Sequence, residues 1–309
     1  FKYDNSDLKG FLQSSHYYVA EHNHSNYFQT YISVNSLLNM QYISYLHQVP
    51  LNEYNTVMHH LQQINDNALV KFLKSNQYHF YNNSIFEIDH QEVHNHNPKF
   101  KSSEAIHFNQ VFHNRMEKDH LWKLIKGRFK FDFAYRRIVL QQHLQNQSTI
   151  ANLLKARPEA PHFTYSHIIM PHDPYFTDSI GVLLDRELAG KADNEVLYVN
   201  YIKYTNLKIK EIVKHLSQTE PNAIVIIMSD HGYREYSAAA DMPRKFDNLL
   251  AVHFPDTNYH ALQQMKSNVN LFRIILNQYF NQHLPMLPDS CISIDEEKKI
   301  ILSQQLLTD

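Results

Sequence analysis

Six apolar residues in a row, Ala223 to Met228, are bounded by Pro221-Asn222 on one side and Ser229-Asp230 on the other. The run is rich in β-branched side chains and nothing alternates in it, which predicts a strand covered on both faces, as inside a parallel sheet. Phe163 to Met170 and Leu249 to Phe254 read as further strands, with shorter ones at Tyr17–Ala20 and Tyr78–Tyr81. Helical spacing starts at Asp4-Asn5-Ser6, where Leu8, Phe11 and Leu12 share a face. It returns over Thr30–Leu46 (Ile32, Leu37, Leu38, Met40), over a pair of helices within Leu51–Leu73, and over Glu117–Lys155 (Trp122, Phe129, Phe133, Ile138), which Pro158 and Pro161 end. Val196–Leu216 and Leu262–Phe280 complete the set, the second with Leu271, Ile274, Ile275 and Tyr279 in register.

A strand at 163–170, a helix at 196–216 and a strand at 223–228 make a right-handed parallel unit the default topology. The expectation is therefore an α/β fold with a mostly parallel central sheet sandwiched by helices. No repeat and no linker divides the chain. One domain over 1–309 is expected, with a main α/β core at 1–236 and a smaller C-terminal lobe at 237–309. Residues 82–120 show no period. The tail from Asp295 is charged and reads as peripheral.

Composition narrows the function classes. With 309 residues, 43% of them hydrophobic, the chain can bury a large core. A net charge of -2 argues against non-specific nucleic-acid binding, which needs a basic surface. Only 5 glycines are present and none builds a Gly-rich phosphate loop. The single Cys291 excludes an intrachain disulfide and a cysteine zinc site. No apolar run reaches the roughly 20 residues that span a bilayer, and no signal peptide is evident. The chain opens at Phe1-Lys2-Tyr3 rather than at methionine, as a processed chain would.

The chemistry concentrates where the central strand stops, at Ser229-Asp230-His231-Gly232. In an open α/β sheet the ligand crevice lies beyond the carboxyl ends of the strands. A carboxylate next to an imidazole there suits a divalent cation such as Zn²⁺ or Mn²⁺. The plainer alternative is a strand-ending turn, with Asp230 as a cap and Gly232 supplying a positive φ. Histidines are abundant, 22 in all, and His90, His94 and His96 cluster with Asp89 and Glu92. That tract is either a metal-binding segment or a solvated loop. Asn82-Asn83-Ser84 is formally a glycosylation sequon.

Three segments together resemble the sulfatase-like branch of the alkaline phosphatase superfamily. Ser229-Asp230-His231-Gly232 resembles its metal-binding motif. His167-Ile168-Ile169-Met170-Pro171-His172-Asp173-Pro174-Tyr175 looks like the strand that ends in Pro-His-x-Pro-[Phe/Tyr]. Tyr3 to Ser6, Ser25-Asn26-Tyr27 with Gln29-Thr30, and Ser36 to Met40 resemble the nucleophile segment of bacterial membrane-anchored members. The likeness continues through Asn248–Val252, Val269–Arg273 and Leu287–Asp289 and skips only about residues 80–160.

The resemblance implies Thr30 as nucleophile and metal ligand, Asp230 and His231 as metal ligands, and His172 as a catalytic and substrate-contacting residue. Asn26, Gln29 and His253 are further candidate substrate contacts, whereas His167, inside its strand, reads as a core residue. A hydroxyl at a helix N-terminus faces unpaired N–H groups that favour an anion, and a metal ion lowers its pKa. The implied activity is a metal-dependent hydrolase or transferase of phosphate or sulfate esters, on envelope glycan or lipid head groups. The implied cofactor is Zn, Mn, Ca or Mg. The implied location is extracytoplasmic, periplasmic or at the cell surface, with membrane association through a segment outside this chain. The alternative is a catalytically inactive sulfatase-like binding or structural module. Two departures bear on the choice. The family's first strand, which ends in a metal-binding Asp, either precedes the start of this sequence or is lacking, and with Thr30, Asp230 and His231 alone the metal set would be one carboxylate short. Thr30-Tyr31-Ile32-Ser33 also lacks the Cys/Ser-x-Pro-x-Arg signature of formylglycine sulfatases, which favours phosphoryl chemistry.

Overall fold

The computed structural model describes residues 3–43, 53–91, 130–155, 157, 160–184, 194–233, 243–295 and 300–307. Among them are helices α1 (Ser6–Ser14), α2 (Thr30–Asn39), α3 (Glu53–Asn65), α4 (Ala68–Ser75), α5 (Lys130–Leu153), α6 (Asn194–Thr219) and α7 (Leu271–Tyr279). The strands are β1 (Tyr18–Val19), β2 (His79–Asn83), β3 (His162–Ser166), β4 (Val225–Met228), β5 (Leu250–His253), β6 (Ser290–Asp295) and β7 (Ile300–Leu306). No helix among the described residues is long and apolar enough to cross a membrane.

The chain divides into two compact units, each assembled from separated stretches. The first comprises Phe1–Phe11, His79–Glu87 and Gln91–Pro221; the second comprises Leu12–Tyr78, Ile88–His90 and Asn222–Asp309. The expected boundary at 236–237 falls outside the described residues.

In the first unit β2 and β3 pair in parallel from His79↔His162 to Asn83↔Ser166. Helix α5 is tied to this pair by side-chain amides that bond backbone. Asn83 Nδ2 donates to the Thr149 carbonyl at 2.7 Å, and Asn146 makes a reciprocal pair with Ile169 at 2.8 Å each way. Helix α6 buries Leu197, Tyr201, Tyr204, Ile212 and Val213; of the inward positions expected from the sequence, Ile212 and Val213 are buried, whereas Ile202, Ile209 and Leu216 are half-buried.

In the second unit β1, β5 and β4 form a three-stranded sheet in that order, antiparallel throughout. This corrects the expected pairing of the central strand. Among the described residues β4 pairs with β5 alone, and its four residues are half-buried. The cause is the chain return after Gly232, which brings β5 back along β4. The fold is α/β, but its described sheets are small and partly antiparallel.

Helix α2 is buried from Ile32 through Leu38 and stops at Met40, whose φ of 55° and ψ of 36° close it in a left-handed cap. The expected extension to Leu46 therefore ends early. Tyr27, Ile32, Ile43, Ile292 and Ile294 form a buried cluster beneath it. Two of those residues come from β6, where Cys291, Ile292 and Ile294 are buried, ahead of the charged tail that starts at Asp295. The helix expected from Leu262 begins only at Leu271. Leu262–Gln264 and Asn268–Asn270 are 3₁₀ turns, and Asp289 accepts bonds from the Ser267 amide (3.1 Å) and hydroxyl (2.6 Å).

Of the His-rich tract, Asp89 pairs with Lys74 at 2.6 Å and the His90 amide bonds Asn65. Glu92, His94 and His96 lie outside the described residues.

Candidate functional site

Thr30 is the first residue of α2, and the N-cap is Gln29, extended at φ −96° and ψ 128° with no side-chain cap bond. Thr30 is therefore the first helical residue and not the N-cap. Its Oγ1 lies 3.3 Å from Nε2 of His231. The positive end of the helix dipole stands at the same place.

His231 is delivered by the turn that ends β4. Ser229 is held on both sides: its amide donates to the Leu249 carbonyl at 3.0 Å, and its hydroxyl accepts the Leu249 amide at 3.0 Å. The Asn248 side chain donates to the Ser229 carbonyl at 2.7 Å. Next in the chain, the His231 amide donates to Asp230 Oδ1 at 3.1 Å. Asp230 Oδ2 lies 3.4 Å from His231 Nε2, with the imidazole 11% exposed and the carboxylate 24%. His231 Nδ1 is 2.6 Å from the Gly232 carbonyl, which can only accept. Nδ1 thus carries a proton, and in the neutral ring Nε2 is the acceptor that faces Thr30.

Gly232 has a different reason from the positive φ anticipated. Among the described glycines only Gly181 has φ in that region. A Cβ on Gly232 would lie 2.4 Å from the Arg244 carbonyl oxygen and 2.5 Å from that of Asp247. Close backbone approach, not backbone dihedral, selects glycine here.

Thr30, Asp230 and His231 are thus brought together within the second unit. The other anticipated residues are placed differently. Asn26 is 2% exposed and donates to the Ser290 carbonyl (2.8 Å), the Ser267 hydroxyl (3.0 Å) and the Tyr42 hydroxyl (3.2 Å), so it packs rather than lines a surface. Gln29 is 6% exposed, and its Nε2 donates to the Ile294 carbonyl at 3.4 Å. His253 pairs with Val225 at the start of β4, whereas Asp230 follows its end. Val225 and Asp230 are five steps apart along extended chain, about 16 Å at the usual rise. The antiparallel register, invisible in the sequence, sends His253 to the far end of the sheet, where Nδ1 is 3.1 Å from the Ala223 carbonyl. His172 belongs to the first unit, where Nδ1 is 2.5 Å from the Asp173 carbonyl. His167 is engaged in the first unit by the Tyr165 hydroxyl at 3.4 Å and by the edge-on Phe86 ring.

Sequence reasoning missed two residues around the site. Ser33 donates to the Asp230 carbonyl at 2.6 Å, and Asn248 holds Ser229. The spacing of Ser33 from Thr30, one helical turn, was the available signal. Cys291 offers no thiolate nucleophile: burial first, and the Asp247 and Asp289 charges second, push its thiol up to about 12.

The donors fit one side of a divalent-cation shell. Asp230 supplies a carboxylate oxygen, His231 an imidazole nitrogen whose partner nitrogen already donates to a carbonyl, and Thr30 a hydroxyl. Among the described residues no group of three or more His, Cys, Asp and Glu side chains converges. The set therefore consists of two such residues and the threonine.

Comparison with known proteins gives one family. The family described as Sulfatase matches residues 8–276. No curated protein and no solved structure matches the chain.

Proposed function

Because the chain belongs to the sulfatase family, we propose that it cleaves or transfers phosphate esters, and sulfate esters secondarily, with Thr30 as the nucleophile. The observation that carries this is the approach of Thr30 Oγ1 to His231 Nε2, 3.3 Å apart at the N-terminus of α2. His231 Nε2 accepts the hydroxyl proton, and Oγ attacks phosphorus as the ester P–O bond breaks. The leaving alcohol takes a proton from water. Water or an acceptor hydroxyl then releases the phosphoryl group from Thr30 and regenerates the alcohol side chain. The first-turn N–H groups of α2 stabilise the negative charge that develops on the transferred group.

Asp230, His231 and Thr30 would hold the divalent cation of the family. A cation held there supplies, in place of the shared proton, a charge that lowers the pKa of the Thr30 hydroxyl. The absence of the formylglycine signature after Thr30 supports phosphoryl over sulfuryl transfer. Envelope glycan or lipid head groups as substrates, and an extracytoplasmic, membrane-associated setting, belong to the same proposal and rest on the sequence resemblance.

One observation favours a second reading, a sulfatase-like module that binds esters without turning them over: among the described residues the donor set is one carboxylate, one imidazole and one hydroxyl. Elemental analysis after equilibration with Mn²⁺ and Zn²⁺, run beside hydrolysis of aryl phosphates and aryl sulfates, separates the two. Metal retained by the native chain and lost in Asp230→Ala, together with phosphate release, supports the enzyme. Ester binding with neither metal nor turnover supports the module.

A further inference from the structure

Thr30 and Ser33 stand one turn apart on the same face of α2, and both reach the turn that carries Asp230 and His231. Ser33 is 4% exposed, and its hydroxyl donates to the Asp230 main-chain carbonyl at 2.6 Å. A serine inside a helix ordinarily returns its hydroxyl to the carbonyl four residues back. In this helix the hydroxyl instead leaves the helix for the Asp230 carbonyl.

The group it grips is the peptide unit between Asp230 and His231. The N–H of that unit is bonded to Asp230 Oδ1 at 3.1 Å, so with Ser33 on the carbonyl both of its polar ends are fixed. Rotation of the unit would swing the imidazole away from Thr30. The Thr30–His231 separation of 3.3 Å is already long for a hydrogen bond to nitrogen, and a displacement of a few tenths of an ångström breaks it.

We propose that Ser33 is a positioning residue, whose hydroxyl fixes α2 against the Asp230–His231 peptide and so sets the Thr30-to-imidazole geometry. This rests on the functional reading of Thr30 and His231 given above. It adds that the nucleophile and its imidazole partner, which lie on different elements, are registered by a second bond from the nucleophile's own helix. Two contacts one turn apart fix an orientation that a single hydroxyl–imidazole contact leaves free to pivot.

Imidazole ¹⁵N spectra at neutral pH test this without requiring turnover. The His231 ring signals are identified by their loss in His231→Gln. In Ser33→Ala they are expected to move toward the averaged Nδ1 and Nε2 positions of a mobile ring, and Ser33→Thr, which keeps the hydroxyl, is expected to restore the native pair. If Ser33→Ala does not fold, Ser33→Cys, of similar volume and weak donor strength, carries the same comparison. Native His231 signals in folded Ser33→Ala or Ser33→Cys overturn the proposal. Thr30→Ala provides the separate arm. If it leaves the His231 ring unmoved, the functional reading of the pair fails, whatever the Ser33 variants show.

Discussion

The Gly232 amide donates to the Lys245 carbonyl at 2.8 Å, and no side-chain atom fits where the two strand-connecting backbones meet. Gly232→Ala places a methyl within 2.5 Å of the Arg244 and Asp247 carbonyls, which are backbone and cannot rotate away. Overpacking of this kind costs about 1–3 kcal/mol. A lower denaturant midpoint, with displaced His231 ring signals, is the expected outcome. An unchanged midpoint would mean that the connection yields without strain.

His60 makes stability depend on acid. It is fully buried between α2 and α3, with Asn35 Nδ2 2.9 Å from Nδ1. Burial chiefly, and the neighbouring His59 next, lower its pKa to about 3. The folded protein holds this ring neutral while the unfolded chain protonates it near 6.5. Between those values the unfolded state binds more protons, so the contribution of His60 to stability is present above 6.5 and is lost as pH falls toward 3. The slope is about 1.4 kcal/mol per pH unit from this group alone. Urea unfolding at pH 7.5, 6 and 5 should show it, and His60→Gln should flatten it.

Two asparagines of the C-terminal segment act as backbone clamps. Asn277 accepts the Leu284 amide at 2.8 Å and donates to the Leu284 carbonyl at 2.9 Å. Asn270 does the same for Leu287, at 2.9 and 2.8 Å. Removing one clamp leaves two backbone groups without these partners, at about 1–3 kcal/mol. Asn277→Ala should speed amide exchange at Leu284 while Leu287 stays protected, and Asn270→Ala should do the reverse. Equal acceleration at both amides would show that the segment detaches as a whole.

Tyr27 tests the core under α2. It is fully buried, and its hydroxyl accepts the Ile43 amide at 2.9 Å. Tyr27→Phe keeps the ring and strands that N–H, so a loss of about 1–2 kcal/mol is expected. No loss would mean that Ile43 finds another acceptor.

Much of the element order was legible because apolar spacing reports burial directly. The helix over 196–216 and the strands at 223–228 and 249–254 appear within a few residues of their expected bounds. Sheet topology was not legible. Nothing in Ala223–Met228 distinguishes a strand with parallel neighbours from one that pairs antiparallel with β5, and the same register places His253 at the other end of β4 from Asp230. β6 did carry a signal that was passed over, Ile292 and Ile294 alternating with Ser293 in front of a charged stretch. At the site, Thr30, Asp230 and His231 could be named because their types carry chemistry. Ser33 offered only its one-turn spacing from Thr30 and Asn248 no signal at all, because each acts on another residue's backbone.

The most direct measurement is mass spectrometry of the peptide that contains Thr30, after brief incubation with an activated aryl phosphate and Mn²⁺ or Zn²⁺ and an acid quench. A phosphoryl adduct on Thr30, absent in Thr30→Ala and reduced in Asp230→Ala, is the predicted result. Aryl phosphate turnover in Thr30→Ala at the native rate, with no adduct on the native chain, would contradict Thr30 as the nucleophile.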